Sequence, residues 1–439
     1  MKRPIQRLLP LLAFWPVITG GLSARAYDAL YEQPPVNYSS TQPAGPVAKL
    51  QAAMDAGEVM LDRRDEQVFL RALLRELNIP VESQVLVFSK TSQQNSRISP
   101  ATPRAIYFND DVYVGWVQGG IVEIADPSPG LGVTFHTLDH RDLEKPLQFE
   151  RPATCLDCHA GSRVNNLPGV MVRSVFPDER GQPILSQGSF VTGHASPMTE
   201  RWGGWYVTGR HGDARHLGNA TAREVAHGAE LDVNPGANRT NLSPYFNTRP
   251  YLTDSSDIVA LMVLEHQCEM QNLLVQAAIH TRVALHRQTM LRQELGEPPT
   301  DELVGSGLIV ANSQAEKIVR HLLFTDEILL PDGGISGRPD FQTAFQRNAR
   351  RDESGRSLKD FDLQNRLFRH RCSYMIYSSA FADLPVQLKE KVYARLLEVL
   401  DGNPGTGART RLGIAERQAI KEILVATKKD FAEFVLRKE

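Results

Sequence analysis

Apolar positions along this chain change period twice. From Val47 to Leu77 they recur at helical spacing (Leu50, Met54, Leu61, Val68, Ala72), which predicts one or two helices ending before Pro80. From Val81 the period becomes two. Val85-Leu86-Val87-Phe88, Ala105-Ile106-Tyr107-Phe108 and Val112-Tyr113-Val114-Gly115-Trp116 read as strands. Gly119-Gly120 joins the last of these to Ile121-Val122-Glu123-Ile124 as a tight hairpin, and Val133 to His136 adds a further strand. Val170 to Phe176 and Gly204 to Thr208 are short extended candidates. Asp232 to Tyr251, rich in Asn with three Pro, reads as a long connection. Helical spacing then returns in Asp254 to Gln293, Leu363 to Ala382, Val386 to Leu400 and Ile414 to Leu436, with a break at Asp401-Gly402-Asn403-Pro404-Gly405.

The pattern predicts an α+β protein: a strand-rich N-terminal half carrying the chemistry and a mainly α-helical C-terminal half. Five segments follow. Residues 1–26 form a signal peptide and 27–46 a flexible tail. Residues 47–231 are a helix plus strand-rich region, 232–253 a connecting loop and 254–439 a helical region.

The first segment has the three-part secretory pattern. Lys2, Arg3 and Arg7 precede a mostly apolar stretch from Leu8 to Thr19, and Ala24-Arg25-Ala26 is a small-x-small cleavage site. A membrane anchor is the weaker reading, because a span needs about 20 apolar residues and Pro10 and Pro16 interrupt this one. Cleavage removes four cations and no acid, leaving 45 basic groups against 51 acidic, formally −6. An exported and, in a Gram-negative cell, periplasmic protein is expected, with no stable membrane span after cleavage. The full chain of 439 residues carries 49 Lys and Arg against 51 Asp and Glu, so no basic surplus points to nucleic acid.

Four cysteines are too few for a disulfide scaffold, but their placement is informative. Cys155-Leu156-Asp157-Cys158-His159 is a CxxCH sequence. Two thiols at this spacing can add to the two vinyl groups of one heme, and the imidazole that follows then reaches the iron. The alternatives are a zinc site, with His266 and Cys268 as an unusually spaced second pair, and a redox-active dithiol, which would want a βαβ context.

On this motif the chain resembles c-type cytochromes. The resemblance covers Cys155 to His159 and extends to Pro168-Gly169. It implies one covalently attached heme c, its iron held by His159 as proximal ligand, redox chemistry and redox partner proteins. It also offers Pro168 as the residue whose carbonyl accepts a hydrogen bond from the ligating histidine. It does not imply the small helical cytochrome fold, because about 130 residues, many strand-like, lie between the cleavage site and the motif. A single motif also argues against two-heme peroxidases.

The sixth ligand separates a carrier from a catalyst. The candidates are His266, on a helical face with Val259, Val263 and Met270, and His194, in the turn-rich Thr192 to Met198. Met198, His211, His216 and Met171 follow, and an open position is the remaining alternative. Arg201 and Arg210 are candidate propionate partners, Trp202, Trp205 and Tyr206 candidate packing for a heme edge, and Glu265 a distal acid or a solvated residue. Cys268 and Cys372 either pair or remain buried thiols. The expected function is electron transfer by an exported single-heme c-type cytochrome. The alternative is a monoheme redox enzyme, peroxidase-like or acting on another small molecule, with an open or displaceable sixth site.

Overall fold

The structure, a computed structural model, describes residues 29–225, 228–402 and 412–438. The expected signal peptide, residues 1–26, lies outside the described residues.

Two amphipathic helices come first, α1 (Pro46–Asp55) and α2 (Glu66–Glu76). Pro46 stands in the first turn of α1, where its missing N–H costs nothing. Asp65 caps α2 by accepting from the Val68 amide. The strands β1 (Val85–Val87), β2 (Arg104–Phe108), β3 (Tyr113–Trp116), β4 (Val122–Ser128), β5 (Gly132–Leu138) and β6 (Phe149–Glu150) follow in order. They form an antiparallel sheet in the order β6-β5-β4-β3-β2-β1, each hydrogen-bonded to its neighbour in sequence.

Both faces of this sheet are covered. Leu86, Ala105, Tyr107, Val114, Trp116, Val122 and Leu138 point to the side where Leu50, Phe69, Leu70, Leu73 and Leu74 of α1 and α2 pack. On the other face the register lines up Phe108, Tyr113, Ala125 and Phe135 in one row and Ile106, Gly115 and Glu123 in the next. Burial on both faces explains why apolar residues fill both sets of alternating positions in these strands.

After β6 comes a single turn, α3 (Leu156–His159). β7 (Val172–Val175) pairs with β8 (Ser189–Thr192), β9 (Trp205–Tyr206) adds to the main sheet beside β1, and β10 (Ala222–Val225) pairs with β11 (Gly228–Leu231). A connection without helix or strand then leads to α4 (Ile258–Glu294), capped by Asp257 through the Val259 and Ala260 amides. The first half of α4 is buried on all sides, as a helix enclosed by protein must be. It runs between the sheet and a helical layer of α5 (Gly305–Leu322), α6 (Pro339–Gln346), α7 (Ser379–Ala382), α8 (Val386–Leu400), α9 (Ile414–Thr427) and α10 (Lys429–Leu436). The α+β division stands. Among the described residues no helix is long and apolar enough to cross a membrane.

Three expectations are corrected. The tail at 27–46 is docked over its described part: Val36 and Tyr38 are buried, and the Tyr38 hydroxyl donates to the Val133 carbonyl at 2.9 Å. Leu363 to Ala382 is not a continuous helix. Leu363 has a positive φ of 61°, Asp362 accepts from the Gln364 and Asn365 amides, and Ser373 and Ser378 each cap a short turn. Those side chains offer the backbone an alternative to helix, while Leu367, Phe368, Met375 and Ile376 are buried one by one. α5 and α6, which periodicity did not single out, supply the other half of that layer; the buried positions of α5 include Ala311, Ala315, Ile318 and Leu322.

Candidate cofactor site

The CxxCH residues leave the sheet edge and fold back over its second face. Ala153–Cys155 is a 3-10 turn that runs directly into α3, so Cys155, Cys158 and His159 lie on consecutive turns of one short helical stretch. All three line a cleft of about 870 Å³, counting its open mouth. Its floor is the sheet, through Arg104, Ile106, Tyr113, Gly115 and Phe135, and its wall is α4, through Leu264 and Cys268. Cys155 is half-buried and Cys158 exposed, so one edge of the cleft opens to solvent.

His159 is held in one tautomer. Its Nδ1–H donates to the Gly169 carbonyl at 2.9 Å, and the Gly169 amide donates back to the His159 carbonyl at 2.8 Å. The ring also packs 4.4 Å from the Phe135 ring. With Nδ1 protonated, Nε2 keeps its lone pair, the arrangement seen in metal-ligating histidines. Burial pushes the imidazole below its ordinary pKa against the opposing pull of the Gly169 bond. The hydrogen-bond acceptor is therefore Gly169, one residue beyond the expected Pro168.

The segment after the motif is clamped from α4. Asn272 Oδ1 accepts from the Val170 amide at 2.9 Å, and its Nδ2 donates to the Val170 carbonyl at 2.7 Å. Asn272 thereby positions Gly169, which positions His159. Asn272→Ala would leave both backbone groups of Val170 without partners. A loss of about 1–3 kcal/mol in urea-unfolding free energy is expected; a loss within error would show that the clamp is not needed.

One charged pair lies on the floor. Arg104 Nη2 meets Glu123 Oε2 at 2.6 Å, while Arg104 Nε is buried without a partner. Gly115 makes this possible, because a Cβ there would stand 2.2 Å from Arg104 Nη2. A cation with unused donor capacity suits an anionic substituent in the cleft. The apolar floor, the paired thiols, the oriented imidazole and this cation together fit a covalently attached, carboxylate-bearing metallocycle.

The expected distal histidines lie elsewhere. Leu264 and Cys268 face the cleft, and at about 100° per residue His266 points to the far side of α4. There it meets His194, with the two Nδ1 atoms 3.0 Å apart and both residues buried. The distal assignment of His266 or His194 is therefore corrected: the structure brings these two together, but not into the cleft. A third histidine, His321 of α5, completes the group, and sequence reasoning missed it. Its one signal was its place beside Ile318 and Leu322 on the buried side of α5.

His136 borders the cleft but alternates with Phe135, so its ring points to the α1 side, where Nε2 lies 3.1 Å from Asp126 Oδ1. Among the described residues lining the cleft, His159 is thus the one whose imidazole faces it. Met171 lines the cleft; Met198, His211 and His216 do not. Trp205 also lines it, its indole N–H donating to the Arg173 carbonyl at 2.8 Å, whereas Trp202 packs on His216. Arg201 is committed to Glu265, both buried, so neither a propionate partner nor a solvated acid is found there. Cys268 and Cys372 are buried and unpaired; burial pushes the Cys268 thiol well up and the Cys372 thiol up to about 12. Arg104, Glu123, Gly115 and Asn272 were not legible as site residues, because each acts through a partner distant in sequence.

No protein-family model matches the chain, and neither a curated protein nor a solved structure is significantly similar to it.

Proposed function

We propose that this chain is an exported single-heme c-type cytochrome that transfers electrons. The observation that carries the reading is the His159 geometry: beside two thiols in an apolar cleft, its Nδ1–H is committed to Gly169 and its Nε2 is left for a metal. Cys155 and Cys158 would form the thioether links, His159 would be the proximal ligand and Arg104 the cation for a propionate. Heme bound there supplies a one-electron ferric–ferrous couple. The chain's own part is to orient the proximal imidazole through Asn272 and Gly169, to exclude water with Phe135, Leu264 and Trp205, and to leave the Cys158 edge open to redox partners. Residues 1–26 carry the address to a compartment where such attachment takes place.

For the sixth position the cleft offers two sulfur atoms, Met171 and Cys268. Burial keeps the Cys268 thiol protonated, and a thiol is a poor ligand. Met171 is the better donor, and as a second protein ligand it would favour a carrier over a catalyst. The second reading, a redox enzyme with a displaceable sixth ligand, is favoured by the open mouth of the cleft.

The test is the ferric and ferrous spectrum of protein matured in a host that attaches heme c, with and without carbon monoxide. Low-spin spectra unmoved by carbon monoxide are expected, and Met171→Ala should convert them to a high-spin, carbon monoxide-binding form. A wild-type spectrum that already shifts with carbon monoxide would transfer the reading to the enzyme.

A further inference from the structure

On the side of α4 away from the cleft, three elements deliver one histidine each. His194 comes from the loop after β8, His266 from α4 and His321 from α5. Their nearest ligand atoms all lie within 4.8 Å of one another, and the residues are 6%, 0% and 8% exposed. From this convergence we propose that His194, His266 and His321, with Glu269 as fourth ligand, bind one divalent first-row transition-metal ion, separate from the cleft at Cys155–His159.

The distances suit a small ion. Metal–nitrogen bonds of about 2.0–2.1 Å place two ligands of a tetrahedral ion about 3.3 Å apart. The Nδ1 atoms of His194 and His266 are at 3.0 Å, so an opening of a few tenths of an ångström admits a metal between them. His321 Nε2 and Glu269 Oε2 are 3.8 Å apart, and Glu269, outside the three-histidine group, would swing in to complete the set. The second shell is also in place. Ser373 Oγ stands 2.6 Å from His266 Nε2, which, donating to it, leaves Nδ1 as the lone pair facing the group.

Two unpartnered atoms point to a missing occupant. His321 Nε2 and Glu269 Oε2 are both buried without a hydrogen-bond partner. A core that merely packed stacked histidines against Phe324 would leave these atoms desolvated for no return. Room for the carboxylate has been made: Gly193 leaves the space, since a Cβ there would stand 1.9 Å from Glu269 Oε2. Burial keeps the three imidazoles neutral, so each has a lone pair to give. The donor set of imidazole nitrogen and carboxylate oxygen suits zinc or ferrous iron better than calcium or magnesium. The Glu269 side chain is 43% exposed, which provides an entry path and a side on which the ion could take a further ligand.

The test uses the full matured chain, stripped with a chelator and titrated calorimetrically with Zn²⁺. One equivalent should bind, and absorption fine structure at the zinc edge should show three nitrogens and one oxygen at about 2.0–2.1 Å. Glu269→Gln, at a half-exposed position that spares the core, should weaken binding at least tenfold. His321→Gln should abolish it while the heme spectrum stays as in wild type. Failure to bind Zn²⁺ would overturn the site, as would equal affinity in wild type, Glu269→Gln and His321→Gln. Should His321→Gln fail to fold, an unchanged affinity in Glu269→Gln overturns the four-ligand site by itself. Zinc held at Cys155 and Cys158 instead would show sulfur ligands at about 2.3 Å, so the fine structure separates failure of this site from failure of the heme reading.

Discussion

Replacing Cys155 and Cys158 together by alanine should abolish covalent cofactor retention. Wild-type protein denatured and extracted with acidified acetone should keep its heme on the polypeptide; the double variant should keep none. Each single variant should retain one thioether, with a shifted alkaline pyridine spectrum. The effect is all-or-none because these are covalent bonds rather than contacts. It should also leave the fold standing, since Cys158 is exposed, Cys155 half-buried, and neither forms a disulfide. Urea unfolding of the unloaded wild type and of the double variant should therefore coincide. If wild type carries no covalent heme in cells where a control cytochrome matures, the central reading fails, and the zinc and dithiol alternatives for the motif return.

The largest expected stability effect belongs to Arg201. Its guanidinium and the Glu265 carboxylate form a direct ion pair at 2% and 0% side-chain exposure. Arg201 also donates from Nε to the Ser196 carbonyl at 2.9 Å and from Nη2 to the His194 carbonyl at 3.3 Å. The pair therefore ties the His194 loop to α4. Arg201→Met would leave Glu265 buried without its countercharge, in a site where burial already pushes its pKa up. A loss of about 3–5 kcal/mol is expected in urea unfolding, the usual cost of breaking a buried pair from one side. Replacing both partners, as in Arg201→Met with Glu265→Leu, should recover most of that loss, because no uncompensated charge remains. A cost below about 1 kcal/mol for Arg201→Met would show that the loop is held by its apolar contacts instead.

The position of α4 relates these sites. Its Leu264 and Cys268 close the cleft, Asn272 holds the segment that orients His159, and His266 faces the other way, toward His194 and His321. One helix thus separates two clusters of chemistry by roughly its own width, about 10 Å. The helical spacing of Asp254 to Gln293 was correctly read, but periodicity cannot say which side of a fully enclosed helix meets which neighbour.

That boundary recurs through the molecule. Features set by neighbours in sequence were legible: the alternation of β2 to β5, the turn at Gly119-Gly120, the helix Val386–Leu400, and the Cys155–His159 spacing that places two thiols and an imidazole on adjacent turns. Backbone geometry and side-chain period determine such features within a few residues, so a single sequence carries them. The failures have the opposite character. Leu363 to Ala382 shows helical spacing but is held by turns, because its side chains are buried by a surface the segment does not itself contain. The acceptor for His159 is Gly169 because Asn272, about a hundred residues away, pins the chain there. His194, His266 and His321 meet only once β8, α4 and α5 have packed, and no local pattern records that convergence. The sequence by itself determined the Cys155–His159 spacing and much of the order of the elements. Tertiary packing alone decided which histidine faces the cleft and which face one another, because burial and long-range contact, not spacing, select among side chains of the same kind.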